Sequence, residues 1–70
     1  MQAVSRAAYV VVSSPDDEWP HGSHLLSVEV KRCLRFGYFP PGLRIKQLKT
    51  GDEYAVSGRE LRKQELVRVM

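Results

Sequence analysis

Apolar residues fall in five clusters along the chain, and their spacing predicts the elements. Ala7 to Ser13 holds a near-continuous apolar run, Ala-Ala-Tyr-Val-Val-Val, closed by Ser-Ser-Pro. Its β-branched and aromatic content predicts a strand, and three contiguous valines predict a central one covered on both faces. Ser14-Pro15-Asp16-Asp17-Glu18 has the chemistry of a helix start, with a capping serine, proline at the first position and acids at the positive end of the dipole. Pro20 and Gly22 stop it within a turn, which predicts a short 3₁₀ turn or ordered loop carrying Trp19.

Ser23 to Phe36 fits two periods. As a helix it gathers Leu25, Leu26, Val30, Cys33, Leu34 and Phe36 on one half of the wheel, with Glu29 intruding and Val28 outside. As a strand it alternates Leu26, Val28, Val30, Leu34, Phe36 and Tyr38. Its ends favour the helix: Ser23 can cap, Glu29 precedes Lys31, Arg32 and Arg35, and Gly37 supplies a left-handed stop. Tyr38 to Gly42 then forms a rigid connector, because Pro40 and Pro41 forbid a helix.

Leu43 to Lys49 and Glu53 to Ser57 predict a hairpin about the turn signal Lys-Thr-Gly-Asp. Leu43 and Ile45 face inward opposite Tyr54 and Val56, and Arg44 and Lys46 face outward. Gln64 to Val69 predicts a last strand with Val67 and Val69 inward and Arg68 outward, although Arg59 to Glu65 also reads as a short helix. The sum is an α+β domain: a strand, a helix packed on a small antiparallel sheet, and a β-meander.

Length sharpens this picture. Seventy residues make a single domain, 1–70, with the first five or so frayed. A chain this short buries only about 60% of its unfolded surface, which leaves little room for a deep catalytic pocket. One cysteine excludes an internal disulfide and suits a reducing cytoplasm. No apolar run reaches the roughly 18 residues of a membrane span, and the start of the chain reads as a strand and not as a signal peptide.

Candidate chemistry is sparse. His21, His24, Cys33 and the Asp16-Asp17 pair lack metal-site spacing. Cys33 falls on the apolar face of the helix, as a buried thiol would. The adjacent acids fit a helix start better than an acid–base pair. The glycines match no phosphate-binding loop. The expectation is a chain that is not an enzyme and carries no metal and no cofactor.

Charge gives the strongest functional signal. Residues 1–30 carry one base against four acids, and residues 31–70 carry ten bases against four acids. Residues 30–51 contain Lys31, Arg32, Arg35, Arg44, Lys46 and Lys49 and no acid. Interleaved with them are Tyr38 and Phe39, beside the turn Pro40-Pro41-Gly42. Basic side chains and aromatics are the residue types that carry interfaces with nucleic acid and with proteins. The expected partner-binding set is Trp19, Lys31, Arg32, Arg35, Tyr38, Phe39, Arg44, Lys46 and Lys49.

Two resemblances follow. A helix, then Arg-Phe-Gly-Tyr-Phe-Pro-Pro-Gly, then a basic hairpin with Gly-Asp-Glu-Tyr, is similar over residues 30–56 to the tail half of phage excisionases. Those are small winged-helix DNA binders, which implies phosphate contacts from the hairpin and base contacts from the helix. Residues 1–22 depart from that pattern, since a strand and a loop stand where such a domain has its first helix. In size, composition and character the whole chain resembles small bacteriophage host-takeover proteins that bind bacterial RNA polymerase. That resemblance implies a non-enzymatic, monomeric regulator in the bacterial cytoplasm, inhibiting or redirecting transcription by occluding a surface of the polymerase.

Overall fold

The first strand, β1 (Tyr9–Ser13), lies in the interior of a five-stranded antiparallel sheet, flanked by β2 (His24–Leu25) and β3 (Arg44–Gln47). The computed structural model describes residues 7–58 and 63–69. The expected fraying of residues 1–5 and most of the alternative helix from Arg59 fall outside that set. The sheet continues through β4 (Glu53–Ser57) and β5 (Glu65–Arg68), and its order is β2-β1-β3-β4-β5. One helix, α1 (Ser27–Phe36), completes a small α+β fold.

The helix begins four residues later than its apolar spacing suggested. Residues 22–25 instead run back along β1. Gly22 donates to the Val11 carbonyl (2.9 Å), Val11 to the Ser23 carbonyl (2.8 Å) and Ala8 to the Leu25 carbonyl (2.9 Å). The buried first strand needs partners for its backbone groups on this edge, and residues 22–25 supply them. Ser23 therefore does not cap. The N-cap is Leu26, whose N–H donates to the Glu29 carboxylate at 2.8 Å. This is half of a capping box, since a leucine side chain cannot return the bond.

Gly37 ends α1 as expected. It sits in the left-handed region at φ 70°, and the Tyr38 N–H closes on the Cys33 carbonyl at 2.9 Å. The chain then drops Phe39 into the core and turns at Pro40–Gly42. Leu43 N–H donates to the Pro40 carbonyl (3.1 Å) and Gly42 N–H to the Val56 carbonyl (3.0 Å). The expected hairpin follows, with Ile45 opposite Tyr54 and Lys46 opposite Glu53.

One expected register is reversed. In β5 Leu66 faces the core beside Val56, while Val67 is 48% exposed. The pairing Val56↔Leu66 sets this parity, and a one-residue shift puts the opposite set outside. Gln64 precedes Leu66 by two and points inward as well. It is the buried polar residue of the core, and a pattern based on apolar residues has no means of marking it.

The core comprises Val11, Leu25, Val30, Phe39, Leu43, Ile45 and Val56. Around it pack Tyr9, Trp19, Cys33, Leu34, Tyr54 and Leu66. All of the sheet residues among these lie on the face that α1 covers. The opposite face has no covering element among the described residues. Val10, Lys46 and Glu53 form one row across it, and Arg44, Ala55 and Val67 the next.

Candidate partner interface

Every residue from Ser27 to Phe36 has a defined direction once α1 is docked through Val30, Cys33 and Leu34. The outward arc is Val28, Lys31, Arg32, Arg35 and Phe36, which together line a shallow groove. Phe36 lies ~120° round the helix from Val30, so it leaves the core and is 49% exposed. Sequence periodicity had placed it inward because Leu25 and Leu26 were counted on the same wheel. With both in the strand and cap, the apolar arc recentres on Val30 and Leu34.

The left-handed Gly37 brings the next side chain back over the end of the helix. Tyr38, 62% exposed, stacks on Phe36 with ring centroids 5.7 Å apart and an interplanar angle of 29°. The Arg35 guanidinium lies 5.8 Å from the Phe36 centroid, within cation–π reach. Among the described residues the ion pairs are Arg44–Glu53 at 3.3 Å and Arg68–Asp52 at 3.6 Å, and neither involves α1. Lys31, Arg32 and Arg35 thus present cations that no described carboxylate neutralises.

The other expected site residues do not join this patch. Phe39 is fully buried, 0% exposed, and is removed from any surface. Trp19 is half-buried and packs edge-on against Phe39, centroids 5.3 Å apart at 63°, as a lid over the core. Arg44 and Lys46 are exposed on the sheet face away from α1, and Arg44 is held by Glu53. Lys49 is exposed in the β3–β4 turn. The six-cation window of the sequence is therefore split between two sides of the molecule. Conversely, Phe36 and Val28 were missed. The one sequence signal for Phe36 was its place directly before the helix-stopping glycine.

Cys33 is half-buried under α1. Burial and the nearby Glu29 carboxylate push its thiol above the usual 9.0, so it stays a protonated packing group. Among the described residues no three His, Cys, Asp or Glu side chains converge as a metal site would require. Nor, among them, is any helix long and apolar enough to cross a membrane.

No protein-family model matches the chain, and neither a curated protein nor a solved structure matches it.

Proposed function

We propose that this chain is a non-enzymatic regulatory binding protein that docks on a larger protein through the outer face of α1. The observation that supports it is the exposed Phe36–Tyr38 stack set among Lys31, Arg32 and Arg35. Aromatic and arginine side chains contribute most to protein interfaces. A stacked pair is already ordered, so it loses little conformational freedom on binding. The partner suggested by the resemblance to phage takeover proteins is bacterial RNA polymerase. The mechanism is occlusion: the rigid patch covers a surface that sigma factor or DNA needs, and no chemistry is involved. This reading places the protein in the bacterial cytoplasm.

Direct DNA binding is the second reading, favoured by three cations on one exposed helix face that no carboxylate among the described residues pairs. The excisionase-like version of it has Arg44 and Lys46 gripping the backbone beside the helix. Those side chains point from the opposite face of the sheet, so α1 would have to bind without its wing. We therefore rank it second.

The test is binding of the full chain to purified, nuclease-treated bacterial RNA polymerase, with competition by sigma factor. Polymerase binding that survives high salt supports the first reading. DNA binding whose affinity falls steeply with salt, with no affinity for the polymerase, supports the second.

A further inference from the structure

The sheet face turned away from α1 has the composition of an interface. An antiparallel sheet with one face in water alternates apolar-in with polar-out. Here the outward set departs from that rule, with Val10, Val12, Ala55, Val67 and Val69 on the side that no element covers among the described residues. Val10, Val12, Ala55 and Val69 are only partly shielded, by each other and by neighbouring side chains, and Val67 is half exposed. The charged residues among them are not scattered. Arg44 and Lys46 stand on β3, Glu53 stands beside them on β4, and the exposed Glu65 stands opposite Ser57 at the start of β5.

The register makes this face complementary to itself. One row runs Val10, Lys46, Glu53, Val69 across β1, β3, β4 and β5. Its first pairings come from the ladder, and its last from the Val69 N–H donating to the Glu53 carbonyl at 2.9 Å. The next row runs from the bulge at Val12–Ser13 through Arg44 and Ala55 to Val67. Consider a two-fold axis parallel to the strands, between β3 and β4. It lays β3 of one copy over β4 of the other, and β1 over β5. Lys46 then faces Glu53 of the other copy, twice. Val10 faces Val69 and the bulged Val12 faces Val67, also twice. Stacked sheets lie about 10 Å apart, a gap that a lysine and a glutamate span together.

We propose that the open sheet face is a homodimer interface, in which two copies pack face to face as an isologous β-sandwich. This reading does not rest on the proposed partner of α1. It leaves the Phe36–Tyr38 patch exposed on the outer side of each copy, so the dimer offers two docking faces. It replaces the monomer expected from the sequence. The four strands that overlap, at about 4.8 Å spacing, and four residues at about 3.4 Å rise give a flat patch of only ~260 Å² per copy. That is smaller than the roughly 800 Å² per partner of a standard interface, so the dimer is weak and depends on concentration.

Sedimentation velocity on the full chain over a concentration series tests this. The wild type should show a reversible monomer–dimer equilibrium. Val67→Glu places a carboxylate in the apolar contact and should raise the dissociation constant about tenfold or more. Lys46→Glu should weaken the dimer similarly by setting like charges against each other. The double exchange Lys46→Glu with Glu53→Lys should bring it back close to the wild-type value. Tyr38→Ala should leave it unchanged. Circular dichroism on each variant checks that the fold is retained. A chain that stays monomeric up to about 1 mM overturns the proposal. So does a dimer indifferent to Val67→Glu, or one that Tyr38→Ala dissolves.

Discussion

The Gln64 carboxamide reads the backbone of Phe39 from both sides. Its Nε2 donates to the Phe39 carbonyl at 2.8 Å, and its Oε1 accepts from the Phe39 N–H at 3.3 Å. The two residues are 25 apart in sequence and both are buried. The Gln64 N–H meanwhile donates to the Leu34 carbonyl at 2.8 Å, so one residue ties the end of α1, the proline turn and the lead into β5. Gln64→Ala leaves two buried backbone groups of Phe39 unpaired and should cost ~2–4 kcal/mol, measured by urea unfolding. Gln64→Glu is the finer probe. Its carboxylate still accepts from the Phe39 N–H but sets an oxygen against the carbonyl, so the native state favours the protonated acid. The folded pKa of the new glutamate is then raised above its unfolded value of about 4.3. The stability it contributes is present below that value and is lost as pH rises through the folded pKa. The variant should therefore be more stable at pH 4 than at pH 7, relative to wild type.

Gly58 and Gly51 both have positive φ, at 114° and 82°, yet their substitutions should differ. A Cβ on Gly51 meets nothing within 4 Å, whereas one on Gly58 meets Gln64 Cα and the Lys63 carbonyl oxygen, each at 3.1 Å. Gly51→Ala carries only the left-handed penalty, ~1 kcal/mol. Gly58→Ala adds a clash with backbone atoms that cannot swing aside, and it disturbs the approach of Gln64. It should cost at least ~1 kcal/mol more than Gly51→Ala. Thermal unfolding of the two variants side by side gives the comparison, and equal losses would refute the packing argument.

Strands β1, β3, β4 and β5, the hairpin, the helix stop at Gly37 and the core roles of Leu43, Ile45 and Val56 were legible in the sequence because each rests on local rules. Alternation over four to seven residues and a glycine after a basic turn need no tertiary information. What was not legible depends on pairing between distant segments. The start of α1 moved because residues 22–25 were needed beside β1. The parity of β5 was set by Val56 opposite Leu66. Phe39 and Phe36 exchanged places, core for surface, because the left-handed turn at Gly37 reverses the chain between them. The candidate site shared that fate. The charge spacing put Lys31, Arg32 and Arg35 on the polar arc of the helix, where they lie, and their separation from Arg44 and Lys46 follows from a sheet whose two faces point opposite ways.

Asp16 supplies a pH-dependent brace in the loop after β1. Its carboxylate accepts from the Glu18 N–H at 3.1 Å and from the Ser14 hydroxyl at 2.9 Å. These two bonds, the backbone one first, hold its pKa below the ordinary 3.8. A depressed folded pKa means that the stabilising effect is present above the unfolded value and is lost as pH falls through the folded one. The Glu18 amide should stay bonded at pH 5 and be released below the ordinary carboxylate range. Its proton chemical shift, followed by NMR from pH 5 downward, should report an inflection below 3.8. Asp16→Asn should abolish that inflection without altering the core resonances of Phe39 or Ile45.

The Phe36–Tyr38 stack separates a binding role from a structural one, because both rings project into solvent. Tyr38→Ala should change unfolding stability by no more than ~0.5 kcal/mol, and Phe36→Ala, whose side chain is half covered, by about 1 kcal/mol. If α1 docks on RNA polymerase through this pair, each truncation should weaken that binding by ~1–2 kcal/mol or more. The two rings touch at 5.7 Å, so their losses should not add. A double-mutant cycle should give a coupling of ~0.5–1.5 kcal/mol. Arg35→Ala should weaken binding too, and most at low salt, since its guanidinium lies over Phe36 while facing water. Arg44→Ala, on the far side of the sheet, is the control and should leave affinity unchanged. Calorimetric titration against the purified polymerase measures the wild type and the five variants. A loss on Arg44→Ala matching that on Tyr38→Ala would mean that the binding surface is not the outer face of α1.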